Sequence, residues 1–529
     1  MIKNLTLSVL LIILTGCQTM SVSSIEPKAD LLVTIPAVAD IEPETIPEQC
    51  IALETEDDPE AYWDAWQRVR EQLALPIPDN RRVRAQKSWY VNHPSYLTRV
   101  SKRAAPYLYF IAQELEKRNL PLELALLPIV ESAYDPFAYS HGRASGMWQF
   151  IPGTGKGYGL KQNWWYDGRR DIFLSTHAAL DYLSYLNKRF DGDWLLALAA
   201  YNSGQGNVSK AIRRNKKKGK PTDFWSLKLP KETKAYVPKL LALSEILQES
   251  SSGENVWTEV ANQPYFARVE TEVQIDLSLA ADLSEQSMQE FYTLNPAFNR
   301  WATAPKGPHY LLIPVEKTDI FQQNLKTIPK NERIAYKRYK IRNGDSLSTI
   351  AAKFSTSVKL LKSSNNINGN SIRAGKSLLI PVPSKRRTEY SKSNQQRLAA
   401  KQNAKRSGNK ISIKVTNGDS FWTLSRKYKV NLRSLAAWNN MAPTDTLKVG
   451  QTLVLWTKKP IRTASAMSRN QKTKKIHYKV RNGDSFARIA DKFNVSLNKI
   501  KKWNRSLSRK KYLQPGQSLT LFVDVTKQY

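Results

Sequence analysis

From Leu120 the chain runs almost without a polar side chain. Leu122, Leu124, Ala125, Leu127, Ile129 and Val130 fall within ten residues, a density that predicts a mostly buried helix. The run ends on an acid, Glu131. The chain then breaks at Asp135-Pro136 and enters a stretch rich in glycine, serine and aromatic residues as far as Leu160. A carboxylate leaving an apolar helix beside such a loop suits a general acid, because low dielectric raises its pKa and keeps a proton available near neutral pH. On this stretch alone, a helix-terminal glutamate in a surface salt bridge is the plainer alternative.

The same periodicity organises the flanks. Over 61–88, Trp63, Trp66, Val69, Leu73 and Leu75 recur at helical spacing and predict an amphipathic helix packed on the next domain. Residues 89–249 read as one domain, nearly all helix with long polar loops. A helix opens at Pro94 and another segment follows over 99–118. A long helix runs over 175–190, and an apolar one from Trp194 to Tyr201 leads into Asn202-Ser203-Gly204. A closing helix opens with Glu232-Thr233-Lys234-Ala235-Tyr236-Val237 and runs to Leu247.

Beyond this domain the chain repeats itself. Asn-Gly-Asp-Ser occurs at 343–346, 417–420 and 482–485, each time after a strand-like segment. The turn residues are Gly344 and Asp345, Gly418 and Asp419, Gly483 and Asp484. An asparagine stands twenty positions after each Asp, at Asn365, Asn439 and Asn504. Gly375, Gly450 and Gly516 then precede a second strand. Two short helices fit between Asp and Asn. A degenerate fourth copy spans 260–330: placing Ile275 on Asp345 puts Leu277 on Leu347, Ala281 on Ala351 and Asn295 on Asn365 without a gap. This copy lacks the Gly-Asp turn.

Two resemblances follow. Glu131-Ser132, then Ser145-Gly146-Met147-Trp148-Gln149-Phe150, then Ala200-Tyr201-Asn202-Ser203-Gly204 resemble the motif set of lytic transglycosylases of the soluble-lytic-transglycosylase, goose-lysozyme-like family. These cleave the glycan strands of bacterial peptidoglycan. The repeats resemble LysM modules, small βααβ domains that bind N-acetylglucosamine-containing glycans. The fold class implied is multidomain: an α-helical lysozyme-like catalytic domain over 89–249, a degenerate LysM-like module over 260–330, and LysM modules over 338–383, 412–456 and 477–523.

The length of 529 residues agrees with several domains. Net charge is +35, with Lys+Arg 81 against Asp+Glu 46, which calls for an anionic partner such as nucleic acid, membrane or cell-wall polymer. Export and glycan modules argue against nucleic acid. The basic residues concentrate in two linkers. Residues 384–410 hold nine Lys/Arg and one acid, and residues 457–475 hold seven Lys/Arg and none. Both are expected to be solvated and disordered.

At the start, Lys3 precedes an apolar run from Leu5 to Leu14 that is too short to span a bilayer. The run closes in Leu14-Thr15-Gly16-Cys17, which resembles a lipobox. The resemblance implies a signal peptide over 1–16, cut before an acylated Cys17. With Gln18 next, it favours the periplasmic face of the outer membrane of a Gram-negative bacterium. Two or more acyl chains give stable anchoring. Residues 17–60, rich in proline and acids, read as a flexible tether. Cys17 and Cys50 provide no disulfide framework, and the scattered histidines have no metal-ligand spacing. No cofactor or metal is expected.

Most glycosidases use two carboxylates, whereas the resembled family uses a single glutamate. Carried over, Glu131 first protonates the glycosidic oxygen and then accepts a proton as the 1,6-anhydro ring closes. Ser132 and Gln149 are expected to hydrogen-bond the sugar or the carboxyl. Tyr201 should orient Glu131, Asn202 shape the cleft, and Met147 and Phe150 line saccharide subsites. Trp148 stands where many relatives carry a smaller apolar residue. The rival carboxylates are Asp167 and Asp171, which read as turn and helix cap; a catalytic Asp167 would make a lysozyme-type hydrolase. Gly153-Thr154-Gly155-Lys156-Gly157 fails both nucleotide templates, with Phe150 where a P-loop needs glycine and Tyr158 where the dinucleotide fingerprint ends. A non-enzymatic, LysM-based wall-binding lipoprotein is the alternative of another class. Cutting and wall binding are expected to be separable, so that removing 338–529 leaves cleavage of soluble strands.

Overall fold

The computed structural model describes residues 63–250, 257–354, 356–458, 473–493, 495–507 and 512–524. The expected signal peptide, the tether, Cys17 and Cys50 lie outside the described residues. Among the described residues no helix is long and apolar enough to cross a membrane.

The amphipathic segment expected over 61–88 is two helices, α1 (Ala65–Glu71) and α2 (Arg81–Val91). Pro76 and Pro78 lie between them and cannot continue a helix. Asp64 and Asn80 cap the two N-termini. Trp66, buried on α1, packs on Trp257 with ring centroids 4.7 Å apart.

The catalytic-domain helices follow as α3 (Pro94–Ala104), α4 (Leu108–Glu116), α5 (Leu127–Ser132), α6 (Pro152–Gly157), α7 (Ile172–Arg189), α8 (Trp194–Ser203), α9 (Gln205–Lys216) and α10 (Lys231–Glu249). The apolar run before Glu131 is not one helix. Leu122–Leu126 forms a 3-10 turn, and α5 starts again with Pro128 in its first turn, a position where the missing N–H costs nothing. Leu124, Ala125, Leu127, Ile129, Ala197, Leu198, Leu240 and Leu241 share one core. Burial of this stripe, rather than helix propensity, holds the short α5 in place.

Four strand pairs follow. β1 (Phe266–Glu270) pairs antiparallel with β2 (Tyr310–Pro314) around α11 (Leu277–Leu283) and α12 (Met288–Leu294). A further helix, α13 (Thr318–Thr327), closes this unit. The next module is β3 (Ala335–Lys340), α14 (Leu347–Phe354), α15 (Val358–Ser364) and β4 (Ser377–Val382). After α16 (Asn394–Asn403) come β5 (Asn409–Lys414), α17 (Phe421–Tyr428), α18 (Leu432–Trp438) and β6 (Thr452–Thr457). Last are β7 (Thr473–Lys479), α19 (Phe486–Lys492), α20 (Leu497–Trp503) and β8 (Ser518–Asp524).

The repeated residues have matching tasks. Gly344, Gly418 and Gly483 take φ of +86°, +83° and +83°, a conformation open to glycine. Asp345, Asp419 and Asp484 accept the backbone N–H three residues earlier, from Arg342, Thr416 and Arg481. The asparagines pin the second helix to the second strand by donating to one backbone carbonyl and accepting from the N–H of the same residue. Asn365 does this with Leu379, Asn439 with Val454 and Asn504 with Thr520. Asn295 does the same with Leu312 in the degenerate copy, so the fold survives there without the Gly-Asp turn.

The first basic linker departs from the disordered coil expected of it. Tyr390 is buried and donates to Asp276 at 2.8 Å, Ser384 N–H donates to the same carboxylate, and Lys385 pairs with Asp282. Residues 394–403 form α16, and Asn409 and Lys410 already belong to β5. The positive charge is thus partly neutralised by acids of the LysM-like unit. The ends of the second linker are strand too: Thr457 closes β6 and Thr473–Lys475 begins β7. Residues 459–472 between them lie outside the described residues.

Candidate active site

Glu131 occupies the last turn of α5. The helix cannot continue, because Ala133 and Tyr134 take φ of +53° and +54°. Such left-handed non-glycine residues are costly and persist where the surroundings hold them. Here Tyr134 is buried, stacks on Tyr107 and donates its hydroxyl to the Ala125 carbonyl at 2.5 Å. The strain keeps Glu131 at the helix end, facing a cleft of about 560 Å³ rather than the core.

Tyr236 on α10 donates its hydroxyl to Glu131 Oε1 at 2.5 Å. Burial pushes the Glu131 carboxyl up to about 7. The Tyr236 hydrogen bond opposes that rise, the charge of Glu232 adds to it, and Lys239 opposes it. Proton-accepting and proton-donating forms therefore coexist at neutral pH.

Of the residues singled out in the sequence, Glu131, Gln149, Phe150, Tyr201 and Asn202 line one cleft. Ser132 and Met147 do not. Ser132 Oγ donates to the Met147 carbonyl at 2.9 Å, and the Met147 side chain is buried in the core. Their task is to tie α5 to the 145–150 loop. Tyr201 departs from its expected role, since its hydroxyl donates to the Trp148 carbonyl at 2.8 Å. Asn202 accepts from Thr233 Oγ1 and joins the end of α8 to α10. Gln149, at φ +51°, closes its own loop by donating to the Gly146 carbonyl at 2.7 Å. Trp148 is fully buried and donates to Thr176.

Sequence reasoning missed Tyr236. A signal was present: Glu232, Tyr236 and Lys239 stand at i, i+4 and i+7 on a helix that otherwise presents buried positions, so one face of it lines the cleft.

The rival carboxylates are occupied elsewhere. Asp167 caps a 3-10 turn and forms a bidentate pair with Arg169, whose guanidinium holds its carboxyl below the usual range despite burial. Asp171 caps α7 and accepts from Tyr166 and Tyr310 at 2.8 Å each. Tyr310 belongs to β2, so this carboxylate also fastens the LysM-like unit to the catalytic domain. Arg170 strengthens that junction with bonds to Pro296, Ala297 and Asn299.

The Transglycosylase SLT domain family matches residues 108–224, the MltD LysM-like domain family matches 265–330, and the LysM domain family matches 339–381, 413–456 and 478–522. The membrane-bound lytic murein transglycosylase D of Escherichia coli is 40% identical over 405 residues, covering 75% of this chain and 86% of that protein. The chain belongs to the membrane-bound lytic murein transglycosylase D family. It is therefore an enzyme of the lytic murein transglycosylase class, with a helical catalytic domain followed by LysM modules. An Alteromonas protein named for tributyltin chloride resistance is 44% identical over 179 residues, or 33% of this chain and 84% of its own length. Among solved structures, the lytic transglycosylase Slt of Pseudomonas aeruginosa overlaps 28% of this chain and 25% of its own, at 24% identity and a TM-score of 0.23.

Proposed function

We propose that this family member cleaves the bond between N-acetylmuramic acid and N-acetylglucosamine in peptidoglycan, with Glu131 acting first as acid and then as base. One observation carries the reading: a carboxyl with a pKa of about 7 lies on the cleft wall, held by Tyr236, while Asp167 is spent on Arg169. Protonated Glu131 gives its proton to the glycosidic oxygen as the C1–O bond breaks. The positive charge at C1 is stabilised by the sugar's own acetamido group. The resulting carboxylate then takes the proton of the C6 hydroxyl, whose oxygen closes on C1. The product is a 1,6-anhydro sugar, no water is consumed, and Glu131 ends protonated again. Gln149, Phe150, Tyr201 and Asn202 shape the walls that hold the strand.

The LysM modules hold the enzyme on the wall, each adding local concentration to a weak contact. Lipid attachment at Cys17 and placement on the periplasmic face of the outer membrane are supported by the leader pattern. The relative's membrane-bound designation agrees with an envelope location.

A hydrolytic reading needs a second carboxylate in the cleft, and among the described residues Glu232, exposed on the first turn of α10, is the other acid that lines it. Incubating purified sacculi with the full chain separates the two. Glu131→Gln should release nothing, while Glu232→Gln should keep most release. Equal loss in both variants would replace the single-acid reading with a two-carboxylate one.

A further inference from the structure

The cleft has a wall that the catalytic domain does not supply. Beside Glu131, Gln149 and Tyr201 it is lined by Arg433, which belongs to α18 of the second LysM module. The module is seated there by specific contacts. Asp445 accepts from Arg143 Nε at 2.8 Å and from the Tyr139 hydroxyl at 3.3 Å, and both partners lie on the loop that borders the cleft. Asp445 is itself held by the Ala442 N–H at 2.8 Å. From the other side α16 reaches the module, Gln402 donating to Asn439 at 2.9 Å. The start of α16 is fixed in turn, since Asn394 N–H donates to the Asn299 carbonyl and Arg397 lies 5.1 Å over Phe137 of the catalytic domain. The charged linker therefore acts as a strut, and the module meets the cleft in one register.

Arg433 has no acidic partner among the described residues, and its side chain is exposed at the cleft. A guanidinium left free on the wall of a substrate cleft suits a planar anion, which it binds through two parallel hydrogen bonds. The anions that a peptidoglycan strand carries beside its sugars are carboxylates, on the peptide stems or on the lactyl groups where stems have been removed.

We propose that the second LysM module is a wall of the catalytic cleft, docked through Asp445, and that its Arg433 binds a carboxylate of the strand being cut. This rests on the peptidoglycan reading above. It replaces the expectation of separable roles: removing 338–529 takes away part of the cleft as well as the wall anchor.

The test uses the full chain in a Glu131→Gln background, so that affinity is read without cleavage. Dissociation constants are measured for soluble stem-bearing strands and for strands stripped of stems by an amidase. Arg433→Ala should weaken binding about five- to tenfold. Arg143→Asp and Asp445→Arg should each do the same, and the exchanged pair should restore affinity. A loss confined to stem-bearing strands assigns the stem carboxylate, a loss confined to stripped strands assigns the lactyl carboxylate, and a loss on both shows that Arg433 accepts either. Unchanged affinity in Arg433→Ala, or failure of the exchanged pair with circular dichroism intact, overturns the proposal. Cleavage by the chain with Glu131 restored is a separate reading. Its absence would remove the peptidoglycan lyase function while leaving the affinity result to judge the docked module.

Discussion

Replacing Tyr236 by Phe removes one hydroxyl and leaves the ring in its core. That hydroxyl is 2.5 Å from Glu131 Oε1 and favours the ionised carboxyl. A hydrogen bond to a charged group contributes about 1.5–3 kcal/mol, and 1.36 kcal/mol corresponds to one pKa unit. Water entering from the open cleft recovers part of this, so the net rise is about one unit. With the acid form of Glu131 starting the reaction, as proposed above, activity in the unaltered enzyme should fall as pH rises through about 7. In Tyr236→Phe the alkaline limb of kcat/KM should move up by about one unit, with a lower plateau because the carboxyl is less well aimed. The assay is release of soluble muropeptides from sacculi between about pH 5 and 9, a span that brackets the limb. An alkaline limb that stays in place, in a variant with unchanged circular dichroism, would refute the argument that Tyr236 sets the proton affinity of Glu131.

Glu131→Gln should also change stability in a pH-dependent way. The folded carboxyl titrates at about 7, against about 4.3 when unfolded, so its contribution is fully present below the lower value and is lost as pH rises through the upper one. The melting midpoint of Glu131→Gln should therefore match the parent near pH 4 (about the unfolded value) and exceed it by a margin that grows up to about pH 7 and then levels off; a difference that does not change between these values would contradict the raised pKa. Gly146→Ala places a Cβ 1.9 Å from the Arg169 carbonyl oxygen at φ +85°, and should cost about 4 kcal/mol or more, seen as a large fall in denaturation midpoint together with loss of activity. Asn439→Ala removes both side-chain bonds to Val454. It should destabilise the second LysM module by about 2–3 kcal/mol, read by hydrogen exchange at β6 with the third module unaffected.

The LysM repeats were readable in the sequence because each is closed within a few dozen residues and its turn glycine and strand-pinning asparagine are local necessities. Glu131 was readable for the same reason, as an acid ending an apolar run. Tyr236 was not, because it lies 105 residues from its partner and looks like any aromatic on a buried helix. The first basic linker misled because a run of charge ordinarily stays in water; a single aromatic, Tyr390, reaching the buried Asp276 changes that outcome. Asp167 and Asp171 were correctly taken as turn and cap. Their second task, holding the LysM-like unit through Arg170 and Tyr310, depends on a surface that local pattern does not describe.

The most direct measurement is mass spectrometry of the muropeptides that the full chain releases from purified sacculi, with Glu131→Gln beside it. A single glutamate acting as acid and then base predicts 1,6-anhydro products, absent in the variant. Reducing-end products, one water heavier, would contradict it and turn attention to Glu232 as a base for hydrolysis.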